Sequence, residues 1–335
     1  MIEVVHFQRK RRKNGNHSIE SYFKGIRDLQ PTDINITYKV FSVESSGFFR
    51  RVVIILQAFF NRKRINHITG DIHFANFLLP KKNTILTIHD CGILKSTTGI
   101  KHFILKHFWF NLPAKKANTI TVNSQATKND LLTYINYPQD KIKVINIFVP
   151  SVHKFVAKEF NKNKPVILQL GTAPNKNIPR IAQALKGISC KYIILGKLDQ
   201  ETEIALKENS IDFENINQSL KDEEVAALYQ SCDIVSFAST FEGFGMPIAE
   251  ANTTGRVVVT SNTSSMPEVA NDAAEFVNPF DIESIKNGFL NVINNEEHRN
   301  KLIANGIENA KRFNKEEIAN QYFNLYREIA TQNIS

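Results

Sequence analysis

Two carboxylates flank a glycine-rich turn in residues 241–251, which read FEGFGMPIAEA. Glu242 and Glu250 are separated by seven residues, and Gly243 and Gly245 lie between them, just ahead of a proline. Glycine lets backbone N–H groups approach an anion closely, and proline favours the start of a helix, whose N-terminus carries partial positive charge. A carboxylate accepts two hydrogen bonds at once, which suits a vicinal diol such as a ribose. The stretch therefore predicts a site for a phosphate beside a sugar.

A simpler explanation exists for one of these residues. An acidic side chain in the first turn of a helix, where we expect Glu250, stabilises the helix by itself and does not alone indicate a ligand. The combination of two glutamates, two glycines and a proline is harder to assign to helix capping. It also follows the apolar run DIVSFAS, residues 233–239, which predicts a buried strand. Because α/β sheets bind ligands at the carboxyl ends of their strands, this position favours a binding site.

A second loop with a glycine and a cation follows the apolar run VILQL. Gly171, Thr172 and Lys176 lie between this run and the helix-like segment NIPRIAQALKGI. A cation at the carboxyl end of a strand can neutralise a phosphate that leaves during a reaction. A lysine on its own is more often a solvated side chain, so Lys176 is a candidate only together with the glutamate turn.

The elements that position these loops are strand-like runs alternating with helix-like runs along the chain. The pattern restarts at Val166, after the polar stretch KFVAKEFNKNKP, which suits a linker. Short β-rich runs separated by helices indicate βαβ units and parallel sheets. We therefore expect an α/β protein with two doubly wound domains, residues 1–160 and 165–313, and a last helix in residues 314–335 that packs back on the first.

Length and composition are those of an ordinary folded protein. The chain has 335 residues, of which 42% are hydrophobic and 22% charged, so disordered and fibrous classes are excluded. Cys91, Cys190 and Cys232 lie far apart without metal-ligand spacing, and the N-terminus has no apolar signal core, so we expect a cytoplasmic location. No apolar run reaches the ~18 residues that span a bilayer, so we expect any membrane attachment to be peripheral.

Positive charge is concentrated in the first half. Residues 1–150 hold 23 Lys and Arg against 9 Asp and Glu, a net charge of +14, whereas residues 151–335 hold 19 against 24, a net charge of −5. This asymmetry fits a phosphorylated substrate, an anionic membrane or a nucleic acid. Residues 47–64 and 100–116 mix basic and large apolar side chains, as helices at anionic lipid surfaces do. Internal helices with solvated basic ends have the same composition, so both alternatives stay open.

Residues 241–279 also resemble a known family. They read FEGFGMPIAEANTTGRVVVTSNTSSMPEVANDAAEFVNP, which is similar to the signature region of retaining glycosyltransferases of family 4, the group 1 transferases of the GT-B fold. The resemblance continues in LQLGTAPNKNIPRIAQAL and LKDEEVAALYQSCDIVSFAS, and more loosely in TILTIHD and TITVNSQATKNDL. It covers most of the chain. It implies two Rossmann-like domains that face each other across a cleft, the first binding an acceptor and the second a nucleotide sugar.

The resemblance implies a role for each residue of the glutamate turn. Glu250 would hold the ribose hydroxyls of the nucleotide. Glu242 would lie near the donor sugar and stabilise positive charge that develops at its anomeric carbon. Gly243, Phe244 and Gly245 would offer backbone N–H groups to the sugar and the phosphate.

The cations of the site depart from the family pattern. Lys176 would neutralise the diphosphate as it leaves. Many members have an arginine directly after the glycine of this loop, but here Thr172 follows Gly171. Threonine donates a hydrogen bond and supplies no charge. Lys197, or the basic loop that runs up to Gly15, would then have to compensate.

Two stretches of the first half complete the predicted site. By resemblance, His89 in TIHD would reach the donor sugar; the alternative is a strand end with the imidazole satisfied by Asp90. The basic loop QRKRRKNGNHSIE, which contains Gly15, lies between the first strand and a helix, where a phosphate-bearing acceptor would account for its charge.

The segment HITGDIHF supplies His67, Asp71 and His73, but their spacing is not a standard metal-ligand pattern. Enzymes of the GT-B fold generally need no bound metal. We therefore interpret this segment as an acceptor-side loop, and we expect neither a metal ion nor another cofactor.

The predicted activity is transfer of a sugar from a UDP- or GDP-linked donor to a hydroxyl of a growing, lipid-linked glycan in bacterial polysaccharide assembly. The partners are a nucleotide sugar, a glycan or lipid-linked oligosaccharide acceptor, and the anionic inner face of the cytoplasmic membrane, which the basic first domain would contact. We expect no nucleic-acid partner. One alternative is a non-hydrolysing nucleotide-sugar epimerase, but that class of enzyme lacks the glutamate turn. Another is a nucleic-acid-binding protein, which the pI of about 9.3 suggests. The third is an inactive family member acting as a partner subunit.

Overall fold

The computed structural model describes residues 1–10 and 18–332. The chain forms two compact units, the first comprising Met1–Phe148 and the chain from Lys315 onward, and the second Val149–Asn314. The strands of the first unit are β1 (Ile2–Gln8), β2 (Ile34–Val40), β3 (Ile65–Ile68), β4 (Thr84–Ile88), β5 (Thr119–Val122) and β6 (Ile142–Val144). Those of the second are β7 (Val166–Leu170), β8 (Lys191–Leu195), β9 (Phe213–Ile216), β10 (Ile234–Phe237), β11 (Val257–Ser261) and β12 (Glu275–Val277).

Helices connect these strands in both units. In the first unit they are α1 (Ser18–Arg27), α2 (Phe48–Phe60), α3 (Gly92–Lys95), α4 (Gly99–Leu105), α5 (Leu112–Lys115), α6 (Gln125–Tyr134) and the final helix α14 (Lys315–Thr331). A π-helical turn, Lys106–Asn111, joins α4 to α5. In the second unit they are α7 (Ile178–Leu185), α8 (Gln200–Glu208), α9 (Asp222–Ser231), α10 (Met246–Thr254), α11 (Met266–Ala270), α12 (Ile282–Asn294) and α13 (Glu296–Ala310).

Each unit contains a six-stranded sheet in which every neighbouring pair is parallel. The strand order is β2-β1-β3-β4-β5-β6 in the first and β12-β11-β10-β7-β8-β9 in the second. In both, the order reverses direction along the chain, as in doubly wound folds. Central strands such as β4 (TILTI) and β11 (VVVTS) are buried at every residue, which is why they read as apolar runs without alternation. The α/β architecture predicted from the sequence is confirmed.

The boundary between the units lies earlier than the sequence suggested. The sequence placed residues 149–160 in the first domain, but they pack within the second unit. The ring of Phe155 packs on Gly255, an Arg256 guanidinium N–H donates to the carbonyl of Val156 at 3.0 Å, and Lys158 pairs with Asp233. A polar composition indicated a linker, but these backbone and ionic contacts fix the segment to one unit.

The final helix α14 closes the core of the first unit. Tyr322 and Tyr326 are buried there. The hydroxyl of Tyr326 lies 2.9 Å from Nε2 of His6 and 2.8 Å from Nδ1 of His67. Burial lowers the pKa of His67 to about 3 and the pKa of His6 well below its usual value, so both imidazoles are neutral at pH 7.

The interpretation of HITGDIHF as an acceptor-side loop is wrong for its two histidines. His67 lies within β3, and its Nε2 is 2.7 Å from Oγ1 of Thr87. His73 is buried and donates from Nδ1 to the carbonyl of Trp109 at 2.8 Å. His67 belongs to β3 and His73 to the 3₁₀ turn His73–Asn76, and hydrogen bonds hold both buried rings within the first unit. Among the described residues, no helix combines the length and apolarity needed to cross a bilayer.

Candidate active site

The two loops singled out in the sequence meet at the point where the strand order of the second sheet reverses. β7 and β10 are hydrogen-bonded neighbours although two strands separate them in the chain. Asn175 joins the loop after β7 to the loop after β10. Its side-chain amide donates to the carbonyl of Phe241 at 2.8 Å, and its backbone carbonyl accepts from the N–H of Thr240 at 2.8 Å. Such a reversal point opens a crevice at the carboxyl edge of the sheet.

An ion pair lies in this crevice. Nζ of Lys176 is 2.7 Å from Oε1 of Glu242, and the amide of Asn175 donates to the same oxygen at 3.1 Å. Both charged side chains are mostly buried, with 16% and 15% exposed. The ammonium also lies 4.5 Å from the centre of the Phe237 ring. A cation and an anion are therefore held side by side where a ligand can approach both.

Gly171 leaves room for the lysine stem. Its φ of +80° is a conformation that side chains rarely adopt, and a Cβ at this position would lie 3.2 Å from Cε of Lys176. A larger residue would therefore strain the backbone and displace the ammonium.

The glutamate turn is held by two hydroxyls that the sequence analysis did not single out. Oγ of Ser264 donates to the carbonyl of Glu242 at 2.7 Å, and Oγ of Ser265 donates to that of Phe244 at 2.6 Å. Gly245, with φ of +112°, precedes the first turn of α10 and lets the chain enter the helix. The signal was available, because serines directly before the Met-Pro start of α11 can bond neighbouring backbone.

Glu250 lies deeper than the sequence indicated. α10 begins at Met246, so Glu250 is beyond the first turn, and stabilisation of the helix N-terminus is not its role. Its Oε2 accepts a short hydrogen bond from the hydroxyl of Tyr229, and its Oε1 is 3.8 Å from Nε2 of His153. Burial raises the pKa of Glu250 to about 7 and lowers the pKa of His153 to about 4. This carboxylate is therefore poised to exchange a proton near neutral pH.

Thr172 is hydrogen-bonded to the loop that follows β8. Its Oγ1 donates to the carbonyl of Lys197 at 2.7 Å, and a Cβ on Gly196, whose φ is +132°, would lie 3.0 Å from Cγ2 of Thr172. The backbone of Lys197 thus borders the loop of Lys176, while the Lys197 side chain is exposed. The arrangement brings most of the predicted residues of the second unit to one edge of one sheet.

Known proteins with similar sequences indicate the class of enzyme to which this arrangement corresponds. Residues 153–309 match the sequence model of the family described as glycosyl transferases group 1. The O-antigen chain mannosyltransferase B of Escherichia coli is 26% identical over 284 residues, which cover 76% of this chain and 73% of the relative. The family match over residues 153–309 and this relative show that the protein is a glycosyltransferase.

Solved structures agree with this glycosyltransferase in fold. The sucrose-phosphate synthase of Thermosynechococcus elongatus superposes with a TM-score of 0.80 at 15% identity, covering 99% of this chain and 100% of that one. Anabaena HepE, solved in complex with UDP and glucose, gives a TM-score of 0.77 at 15% identity, covering 98% of this chain and 100% of that one. The two Rossmann-like domains are those of the GT-B fold.

His89 of this transferase lies in the first unit, directly after β4. Its Nε2 donates to the carbonyl of Thr69 at 2.9 Å. The Asp90 carboxylate accepts the backbone N–H of Gly92 at 2.7 Å. The ring is therefore oriented by the end of β3, with Nδ1 as its second polar atom.

The remaining predicted site residue of the glycosyltransferase, Gly15, lies outside the described residues. At the start of its basic loop, Arg9 donates to Glu20 at 3.0 Å and to Asp71 at 2.7 Å. Over residues 1–10 and 18–332, no group of three or more His, Cys, Asp or Glu side chains is arranged to hold a metal ion.

Proposed function

We propose that this transferase is a retaining enzyme of family 4 that moves a hexose from a UDP- or GDP-linked donor to a hydroxyl of a growing, lipid-linked glycan. The observation that carries the proposal is the pairing of Lys176 with Glu242 at the reversal point of the second sheet, 2.7 Å apart. The pairing supports the proposal because a cation suited to a diphosphate and an anion suited to a sugar lie side by side in one crevice.

The donor is assigned to the second unit. Glu250 is assigned to the ribose, because its carboxylate oxygens, when ionised, accept hydrogen bonds from vicinal hydroxyls. Backbone N–H groups of Gly243, Phe244 and Gly245, at the start of α10, are assigned to the phosphate and sugar. Lys176 and the hydroxyl of Thr172 are assigned to the diphosphate. UDP in the structure of Anabaena HepE supports a nucleoside diphosphate as the ligand class.

The reaction we assign needs no protein nucleophile. The bond between the anomeric carbon and the diphosphate oxygen breaks, and the acceptor oxygen forms its bond on the same face of the sugar. The departing phosphate takes the proton of the acceptor hydroxyl. Lys176 offsets the negative charge that grows on the leaving group, and Glu242 stabilises positive charge at the anomeric carbon. His89 is assigned to orient a hydroxyl of the donor sugar. We assign no metal ion to the site.

The acceptor is assigned to bacterial polysaccharide assembly. The relative in Escherichia coli is an O-antigen chain mannosyltransferase, which favours an acceptor in a surface glycan. We assign the acceptor to the cytoplasmic face of the membrane, where the basic first unit, net +14 over residues 1–150, would meet anionic lipid.

A thermal-shift titration tests the donor assignment. The full chain is measured against UDP, GDP, UDP-glucose and GDP-mannose, each with and without EDTA. We expect one nucleoside diphosphate and its sugar to raise Tm, with no loss of the shift in EDTA. A folded protein that responds to none of these ligands would refute the proposed donor site, and a shift abolished by EDTA would refute its metal independence.

A further inference from the structure

The outward face of α2 is apolar. Ile54 and Ala58 turn inward and are buried. The solvent side carries a stripe of exposed large hydrophobic residues at helical spacing, Phe49, Val52, Val53, Leu56 and Phe60. Phe49 is 83% exposed and Phe60 75%. A helix in a water-soluble domain normally turns such a stripe to the core, so here a second apolar face is left facing solvent.

A second stripe runs along α4 and the π-helical turn. Its exposed members are Ile100, Phe103, Ile104, Phe108 and Leu112. Ile100 is 81% exposed and Phe103 59%. Phe108 follows Phe103 by five residues, and Leu112 follows Phe108 by four. The five-residue step enters the π-helical turn, whose hydrogen bonds span one residue more than those of an α-helix, so these side chains stay on one face.

The two stripes belong to neighbouring elements. The guanidinium of Arg51, on α2, lies 4.4 Å from the centre of the Trp109 ring, in the π-helical turn. The indole N–H of Trp109 donates to the carbonyl of Asp71 at 3.2 Å, and its ring packs edge-on to Phe74 at 5.0 Å. The Trp109 ring thus contacts both α2 and the 3₁₀ turn His73–Asn76.

Within the two chain segments that carry the stripes, all charged side chains are cationic. The sequence contains no Asp or Glu between Glu44 and Asp71, nor between Asp90 and Asp130. The first interval carries Arg50, Arg51, Arg62, Lys63 and Arg64, and the second Lys95, Lys101, Lys106, Lys115, Lys116 and Lys128. Exposed apolar side chains on segments that also carry only cations complement a surface that is apolar inside and anionic outside.

We propose that α2, α4 and the π-helical turn form one docking face, here called the α2/α4 face, that inserts its two apolar stripes into the headgroup boundary of an anionic bilayer. Phe49, Phe60, Ile100 and Phe103 enter the acyl boundary, and cations such as Lys101 bind lipid phosphates. The inference deepens the proposed function, on which it rests for its biological sense, by naming the residues of contact.

A second copy of the chain fits this face less well. In a two-fold dimer the same patch meets itself, so cations of one copy would face cations of the other with no carboxylate from either interval between them. A bilayer supplies the anions that a second copy lacks.

Vesicle flotation of the full chain tests the α2/α4 face. Vesicles of phosphatidylcholine alone are compared with vesicles of phosphatidylcholine and phosphatidylglycerol in equal amounts. We expect flotation with the anionic vesicles and its loss at high salt. Phe49→Ser should weaken partitioning at least about tenfold, since a large inserted side chain is lost. Lys101→Glu should weaken it about tenfold, because an attraction becomes a repulsion.

The second unit offers matched controls. Ile204 is 46% exposed on α8, and Lys186 is exposed at the end of α7. Ile204→Ser and Lys186→Glu should leave flotation unchanged. Every variant is checked for an unaltered Tm, which these exposed positions should preserve. Equal losses in the control variants would overturn the proposal, because the effect would then follow overall charge or hydrophobicity.

Nucleotide binding separates this inference from the proposed function. Loss of flotation in Phe49→Ser with an unchanged nucleotide-induced Tm shift supports the α2/α4 face alone. Wild-type protein that binds a nucleotide but floats with neither vesicle overturns the face and leaves the transferase site standing. Wild-type protein that floats with anionic vesicles but gives no nucleotide-induced Tm shift overturns the transferase site and leaves the α2/α4 face standing. A wild-type dimer in size-exclusion chromatography that dissociates in Phe49→Ser, without flotation, would overturn the membrane assignment in favour of self-association.

Discussion

The ammonium of Lys176 lies 2.7 Å from a carboxylate oxygen of Glu242, so the cation assigned to the donor diphosphate is already paired in the free protein. A bound diphosphate would compete with Glu242 for that ammonium. The carboxylate would then be released toward the sugar at the moment when the anomeric carbon needs an anion. Binding of the diphosphate would thereby bring the Lys176 ammonium to the phosphate and free the Glu242 carboxylate for the sugar.

The first prediction concerns Lys176. Lys176→Ala should lower kcat by roughly 10²–10³, the usual cost of losing one group that stabilises charge in a transition state. Steady-state kinetics with the donor identified by thermal shift would measure it. Lys186→Ala, an exposed lysine at the end of the following helix, is the control and should keep full turnover. Undiminished kcat in Lys176→Ala would remove this lysine from the site.

The second prediction uses a matched pair of glycines. Gly171 and Gly187 both have φ of +80°, but a Cβ on Gly187 meets nothing within 4 Å. Each alanine substitution should cost about 1 kcal/mol of unfolding free energy because of the backbone strain. Only Gly171→Ala should also lose activity, since its methyl group displaces Lys176. Equal activity in the two variants would show that the lysine stem does not need this space.

The third prediction follows from the pKa of Glu250, which burial raises from its ordinary value of 4.5 to about 7 in the folded state. The folded protein therefore holds a proton that the unfolded chain releases between these pH values, and stability should fall as pH rises through this range. Relative to Glu250→Gln, the wild type should lose up to about 3 kcal/mol of unfolding free energy. Chemical denaturation at several pH values would measure the difference. A difference independent of pH would mean that Glu250 titrates normally.

Glu250 also makes nucleotide affinity dependent on pH. Ribose hydroxyls donate hydrogen bonds, so the ionised carboxylate binds them better, and affinity should rise as pH increases through the pKa of about 7. The titration of the phosphate itself is common to the wild type and Glu250→Gln, and the difference between their affinity profiles isolates the carboxylate. Parallel profiles would contradict the ribose assignment.

The fourth prediction concerns the buried hydroxyl of Tyr326. Tyr326→Phe leaves His6 and His67 without this partner for one ring nitrogen each, which should cost about 1–3 kcal/mol of unfolding free energy. Tyr38→Phe, on a side chain that is 60% exposed, should cost little. Denaturation curves would compare them. Equal costs would show that water replaces the lost hydroxyl.

Local patterns predicted much of the fold and part of the candidate site. The run DIVSFAS predicted β10, and the glycines and proline after it predicted the turn into α10, because these signals act between neighbouring residues. Tyr229 was missed as the partner of Glu250, since it lies on α9 and only the packing of α9 against α10 brings the two together. The burial of His67 was missed for the same reason. Its partners, Thr87 and Tyr326, lie on other elements.

The return of α14 to the first unit has a consequence for synthesis on the ribosome. Residues 1–148 emerge before α14, yet their core lacks Tyr322 and Tyr326 until α14 has been made. The second unit, encoded as one continuous segment, is free to fold before then. Completion of the first unit therefore waits for α14, and until α14 is made the apolar side chains that it covers are open to solvent and to chaperones.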